Sequence, residues 1–504
     1  MRAIAARVDS AIPVTSNQCE NATRERQQPG NVNKPLNSDF YQLQHTTMTI
    51  SEDIFRAYDI RGIVETALTP DAVTRIGQAF ASEARAQGQN TVVIGRDGRL
   101  SSPELANALS NGLRAGGCDV IDIGMVPTPV LYYATHQLET GTGIMVTGSH
   151  NPPQYNGLKM LIAGNTIYGD GIKSLYRRII DHNLDSGDGK YQQQDVIPSY
   201  IETIVSDIQL ARPLNIAVDC GNGVAGVLAV ELFSKLGCDI TDLYCDVDGT
   251  FPNHHPDPSK PENLDDIKKV IAEKGLDLGL AFDGDGDRVG IIDDQQNIIW
   301  ADRQMMLYAE DVLERKPGAQ IIFDIKSSTN LARFIEEHGG EPLMWKTGHS
   351  FIKAKMKETG AELAGEMSGH IFFKERWFGF DDGLYSAARM LEILSKRNQA
   401  SSAVFAELPD SVNTPELQIH FDEGEHYRFM EKFKQEAHFE NADIITIDGM
   451  RVNYPEGWGL IRPSNTTPCL VLRFEANSEA MLDEIQAKFR EQILKLDSSL
   501  ELPF

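Results

Sequence analysis

One unit recurs three times along this chain and restricts its fold more than any other feature. Val92-Val93-Ile94, Ile216-Ala217-Val218 and Ile321-Ile322-Phe323 are short apolar runs that open into Gly95-Arg96-Asp97, Asp219-Cys220-Gly221 and Asp324-Ile325-Lys326. Such runs fit strands buried on both faces. Each is followed by a helix-like segment that ends at glycine and by a second strand, starting at Gly117-Cys118-Asp119-Val120, Gly237-Cys238-Asp239-Ile240 and Gly339-Gly340-Glu341. Another helix then leads to a third apolar strand: Gly143-Ile144-Met145-Val146, Leu278-Gly279-Leu280-Ala281-Phe282 and Ala361-Glu362-Leu363-Ala364. Strands alternating with helices imply parallel α/β units joined by right-handed crossovers. The Gly-Cys-Asp shared by the first two units favours true repetition over the general likeness of α/β chains.

The predicted fold class is therefore three repeated mixed or parallel α/β domains, at 49–196, 197–298 and 299–409, with a smaller α+β domain at 410–504 and a central cleft. After about residue 410 the pattern changes to short strands and helices, ending in a long amphipathic helix from about Ala480 to Leu494. A length of 504 residues suits that division. Residues 1–48 differ from the rest: rich in Gln, Asn and Arg, with weak periodicity, they read as a disordered extension or a start placed too early. An Arg-bearing transit segment is disfavoured by Asp9, Glu20 and Glu25.

A net charge of -26 opposes binding to nucleic acid or an anionic membrane surface and points to a small partner. An acidic chain binds an anionic ligand only where it gathers cations locally, so clustered Arg and Lys should mark the pocket. Cys19, Cys118, Cys220, Cys238, Cys245 and Cys469 are scattered without a C-x-x-C pair, which fits the cytoplasm and neither a zinc site nor a disulfide framework. No apolar run is long enough to predict a membrane span.

Three different loops leave the third strand of the repeats, where ligands of open α/β sheets sit. Asp283-Gly284-Asp285-Gly286-Asp287 alternates carboxylates with glycines, so the backbone can curl and aim hard oxygen ligands at one Mg²⁺. It is not an EF-hand, because Arg288 and Asp294 stand where Gly and Glu are required. A solvated Asp-Gly turn explains less well a loop that comes straight off a buried strand and meets Arg288. Three carboxylates leave Mg²⁺ open positions for a phosphate oxygen. In Thr147-Gly148-Ser149-His150-Asn151-Pro152, the serine fits a phosphate carrier assisted by His150 or Lys159; alone it would read as a turn or cap. Glu366, Ser368 and His370 alternate along what reads as an extended loop, with groups for sugar hydroxyls and an imidazole for proton transfer. Arg462-Pro463-Ser464-Asn465-Thr466-Thr467 offers a guanidinium, hydroxyls and an amide to phosphate oxygens. It lacks the Gly-Lys-Ser/Thr of a nucleotide loop. Tyr58, Arg61, Lys326 and His349 are weaker candidates in polar loops, and Trp345 and Leu343 read as packing.

These motifs, with Phe55-Arg56-Ala57-Tyr58-Asp59-Ile60-Arg61-Gly62 at their head, make the chain from about Thr49 onward resemble the α-D-phosphohexomutases, nearest to their bacterial phosphomannomutase/phosphoglucomutase group. The resemblance implies a four-domain enzyme that interconverts hexose 1- and 6-phosphates of mannose, glucose or both, through a Ser149 phosphate and a hexose 1,6-bisphosphate. It implies one Mg²⁺ on Ser149, Asp283, Asp285 and Asp287. Arg61, His150, Lys159, Arg288 and His370 would serve proton transfer and charge stabilisation. Glu366 and Ser368 would grip the sugar, and Arg462, Ser464, Asn465 and Thr466 the non-reacting phosphate, with Tyr58, Arg303, Lys326 and His349 completing the substrate set. A monomer or weak oligomer is expected. Two other readings stay open: a haloacid-dehalogenase-like phosphatase with Asp283 as nucleophile, and a phosphosugar-binding protein without catalysis.

Overall fold

The computed structural model describes residues 50–422, 424–464 and 467–504. The extension read at 1–48 lies outside them, as do Asn465 and Thr466. Four sheets follow one another along the chain. The first holds β1 (Ile60–Ile63), β2 (Thr91–Arg96), β3 (Asp119–Met125), β4 (Gly143–Val146), β5 (Tyr155–Ile162), β6 (Asn165–Thr166) and β7 (Tyr191–Gln193). The second holds β8 (Asn215–Asp219), β9 (Asp239–Leu243), β10 (Leu278–Phe282), β11 (Val289–Asp293) and β12 (Ile298–Ile299). The third holds β13 (Gln320–Asp324), β14 (Glu341–Trp345), β15 (Leu363–Gly365) and β16 (Ile371–Phe373).

The repeat is a four-strand motif, β3-β2-β4-β5, β9-β8-β10-β11 and β14-β13-β15-β16, in which three strands run parallel and the fourth is antiparallel. The apolar runs form the predicted strands because both of their faces are covered; β4 and β10 are buried throughout. Each chemically distinctive loop is the reversal between the third strand and its antiparallel fourth. The Glu366–His370 segment is accordingly a tight turn and not the extended loop read from alternation: Gly369 N donates to Glu366 O at 2.9 Å, Glu366 N to His370 O at 2.9 Å, and Gly369 has φ +99°.

One apolar cluster runs from Val93 and Val130 through Ile216 and Leu280 to Ile321 and Leu384, so the first three sheets share a core. The helix Gly383–Lys396 runs through it, buried over nearly its whole length. Each Leu, Ile or Phe buried there contributes about 1.5–3 kcal/mol. Arg389 on this helix has its charge met by Asp311 at 2.6 Å and Glu375 at 3.1 Å.

The fourth sheet is antiparallel, with β17 (Val412–Asn413), β18 (Leu417–His420), β19 (Asp443–Ile445), β20 (Met450–Tyr454), β21 (Gly457–Pro463) and β22 (Cys469–Ala476). The helices Glu425–Glu436 and Glu479–Leu496 supply its core with Met430, Phe433, Ile485, Phe489 and Ile493. Buried Arg451 ties this sheet to the third domain by donating to Ile325 O at 2.6 Å and Ser327 O at 2.8 Å. Among the described residues no helix is long and apolar enough to cross a membrane.

Candidate active site

The turn between β4 and β5 meets the turn between β10 and β11. Ser149 is buried, with φ +49°, a left-handed conformation unusual for serine. Its Oγ donates to Asp283 Oδ2 at 3.3 Å and lies 3.1 Å from His150 Nδ1. Gly284 must be glycine for this approach, because a Cβ there would strike the carbonyl oxygen of Ser149.

Asp283, Asp285 and Asp287 are completely buried, and each offers an oxygen within 4.8 Å of the others. Three carboxylates out of water demand counter-charge. Lys159, on the antiparallel β5, supplies part of it at 2.7 Å from Asp285 Oδ2 and 2.5 Å from Asp287 Oδ2. Arg288 Nε contacts Asp283 Oδ2 at 3.0 Å. Burial works against Lys159's charge, but Asp285 and Asp287 hold it well above the usual lysine range. Burial lifts Asp283 to about 7 against the pull of Arg288. Asp285 Oδ1 and Asp287 Oδ1 accept no hydrogen bond, although His370 Nε2 stands 3.4 Å from the latter. Oxygens left unpartnered in a converging hard-donor set fit a divalent cation.

His370 leaves the third repeat beside this group. Burial disfavours its charge, yet Asp287 and Glu366 outweigh it and lift His370 to about 9. His150 has the opposite balance, held well below its ordinary value by burial and by Arg288. His349 stacks on His370 with centroids 5.6 Å apart and is also held low, by burial and Lys353. Ser368 Oγ lies 3.0 Å from His370 Nδ1, and Glu366 Oε1 accepts from Gly348 N at 2.5 Å. Arg61, on β1, donates to Asp59 at 2.5 Å and to the side chain of Asn151 in the serine turn.

A second group of cations belongs to the third and fourth domains. Lys326 donates to Glu416 at 2.5 Å, and Arg462 Nε to Asp448 at 3.0 Å. Asp448 also accepts from Thr347 N at 3.1 Å, while Tyr58 from the first domain donates to Thr347 O at 3.1 Å. Ser464 Oγ is 3.0 Å from Thr467 Oγ1. The structure thus brings every predicted residue it describes into one of two linked groups, except Arg303. That guanidinium reaches Phe405 O at 2.5 Å and Asp410 at 3.3 Å, in the segment leading into the fourth domain.

Several residues of the site were not singled out from sequence. Arg99, 1% exposed, donates to the carbonyls of Ser149 at 2.8 Å, Asn151 at 2.6 Å, Pro152 at 2.8 Å and Tyr155 at 3.1 Å. Asp97 orients it, accepting from Arg99 Nε at 3.2 Å and Gly148 N at 3.1 Å. Thr128 donates through Oγ1 to Asp285 Oδ2 at 2.5 Å and through N to Asp285 O at 2.9 Å. Asp257 stands 3.4 Å from Arg288, and Asp381 accepts from Lys353 at 2.7 Å.

The chain matches family models described as phosphoglucomutase/phosphomannomutase alpha/beta/alpha domain I at 52–183, domain II at 198–296 and domain III at 300–412, and the C-terminal domain at 416–492. It is 55% identical over 456 residues to a Pseudomonas aeruginosa protein named phosphomannomutase/phosphoglucomutase, covering 90% of this chain and 98% of that one. A Neisseria gonorrhoeae phosphoglucomutase is 52% identical over 446 residues, covering 88% and 97%. The crystal structure of a phosphoglucomutase/phosphomannomutase family protein from Burkholderia thailandensis superposes with a TM-score of 0.86 at 54% identity, covering 90% of this chain and 100% of the other.

Proposed function

Because this chain belongs to the phosphoglucomutase/phosphomannomutase family, we propose that it interconverts the 1- and 6-phosphates of mannose and glucose, with Ser149 carrying the phosphate between them. The observation that carries this reading is the contact of the strained, buried Ser149 hydroxyl with the three-carboxylate group of a different domain.

Asp283, Asp285 and Asp287, with the Ser149 phosphate, would hold one Mg²⁺. When bound, that ion supplies charge neutralisation at the transferring phosphoryl group. The chain's own groups do the rest. Arg462, Ser464, Asn465 and Thr466, with Lys326, Tyr58 and His349, hold the phosphate that does not react, and Glu366 and Ser368 bond the sugar hydroxyls. This fixes the free hydroxyl opposite Ser149, so catalysis comes mainly from positioning. His370, its charge favoured by Asp287 and Glu366, and Lys159 face the reacting oxygens, with Arg61 and Arg288 compensating phosphoryl charge. His150, kept neutral, accepts or returns the serine proton. The hexose 1,6-bisphosphate turns end over end, and Ser149 takes back the other phosphate.

A coupled assay with mannose, glucose and glucosamine 1-phosphates tests this. The expected result is 6-phosphate from the first two and far less from the third. Release of inorganic phosphate without any 6-phosphate would instead support a phosphatase using Asp283, and tight binding without turnover a non-catalytic protein.

A further inference from the structure

The turns after β8 and β9 each carry one of a pair of thiols outside the site described above. Cys220, fully buried, and Cys245, partly exposed, have Sγ atoms 3.5 Å apart. The parallel register of β8 with β9 pairs Asp219 with Leu243, and Cys220 N donates to Leu243 O at 3.1 Å, which sets the two following turns side by side. A disulfide has an S–S distance of about 2.05 Å, so closing the pair takes a movement of about 1.5 Å. We infer that Cys220 and Cys245 form a reversible dithiol–disulfide couple, a modification site for hydrogen peroxide.

Cys245 meets the oxidant first. Its thiolate attacks one peroxide oxygen, the O–O bond breaks, and the departing hydroxide takes up a proton to become water, leaving a sulfenic acid on Cys245. The Cys220 sulfur then displaces the sulfenic hydroxyl, which leaves as a second water with the Cys220 proton. Two thiols lose two electrons and two protons, and one peroxide becomes two waters. The hydrogen bond to Cys245, together with burial, pushes the Cys220 thiol up, so this second step is slow.

The turn after β8 also supports the metal loop. Cys220 O accepts from Gly223 N at 2.6 Å, Val224 N donates to Gly284 O at 3.1 Å, and Gly284 N donates to Pro256 O at 3.2 Å. Drawing Cys220 toward Cys245 displaces the backbone that holds Gly284 between Asp283 and Asp285, and turnover slows. This last step rests on the mutase reading, whereas the couple itself does not.

The test treats the purified full chain with hydrogen peroxide and maps its peptides by mass spectrometry while following mannose 1-phosphate turnover. The expected result is a peptide pair linked through Cys220 and Cys245, lighter by two hydrogens, with turnover lowered about tenfold and both changes reversed by dithiothreitol. Cys245→Ser keeps untreated activity and loses the peroxide response. Treated chain in which both thiols stay free, or in which Cys245 passes to sulfinic acid without linkage, would overturn the couple. Linkage with unchanged turnover would overturn its connection to the metal loop. An untreated chain inactive on every sugar phosphate would sink the mutase reading alone, since the linked peptide decides the couple by itself.

Discussion

Replacing Arg99 with methionine separates positioning from substrate contact, because Arg99 touches the serine turn only through backbone carbonyls. Its guanidinium donates to four of them and pairs with buried Asp97. Arg99→Met leaves Asp97 buried without its cation, and removing one member of such a pair costs about 3–5 kcal/mol. At no more than about 2–4 °C per kcal/mol, the unit built on the shared core should melt about 5–10 °C lower. Ser149 is held at φ +49° by these contacts, so their loss frees its Oγ to move by about 1 Å, a displacement that lowers kcat about 10²-fold. KM for hexose 1-phosphate should stay within about threefold, because no substrate contact is removed. Arg99→Lys keeps a charge but cannot span four carbonyls, and should recover stability more than kcat. Steady-state kinetics at a temperature where the variant is folded provides the assay. A kcat within about twofold of wild type, or a loss confined to KM, would show that these carbonyl contacts do not position Ser149.

Asp285→Ala removes one of the three carboxylates, leaves Lys159 with Asp287 alone and takes away the acceptor of the Thr128 hydroxyl, so Mg²⁺-dependent turnover should fall at least about 10²-fold with an unchanged circular dichroism spectrum. Full activity would reject the metal assignment. Gly284→Ala forces the metal and serine turns apart, and should lower turnover at least about tenfold and weaken divalent-cation binding seen by calorimetry. A wild-type titration would show that the loops have room to spare. Burial opposes the charge of His254, but its hydrogen bond to Asp219 wins and raises its pKa. A raised folded pKa stabilises below the unfolded value of about 6.5 and is lost as pH rises through the folded value. The melting-temperature gap between wild type and His254→Gln should therefore be wider at pH 6 than at pH 9, and a gap that grows with pH would contradict this.

The chemistry of the site was legible in the sequence wherever it was concentrated within six residues after an apolar strand. The Asp-Gly-Asp-Gly-Asp and Gly-Ser-His-Asn loops carry both the strand signal and the side chains, so their positions at equivalent points of three repeats could be read directly. Arg99 and Thr128 escaped because their partners, Ser149 and Asp285, lie 50 and 157 residues away, and only the fold joins them. The antiparallel fourth strand was missed for a related reason. Buried on both faces over Asn156–Ile162, β5 shows no alternation that would reveal its direction, and yet it delivers Lys159. The alternation of Glu366, Ser368 and His370 imitated a strand, but Gly369 reverses the chain there. Arg303 has the residue type of a phosphate ligand, while its place on the helix Ala301–Arg315 turns it to the 405–410 segment.

Whether Ser149 carries the phosphate that moves is decided by following the phosphate itself. Incubating the dephosphorylated chain with ³²P-labelled glucose 1,6-bisphosphate, digesting part and chasing the remainder with unlabelled mannose 1-phosphate, tests it directly. Label is expected on the Ser149 peptide alone, passing on chase to hexose phosphate and not to inorganic phosphate. Label on Asp283, or turnover that persists in Ser149→Ala at the wild-type rate, would contradict it.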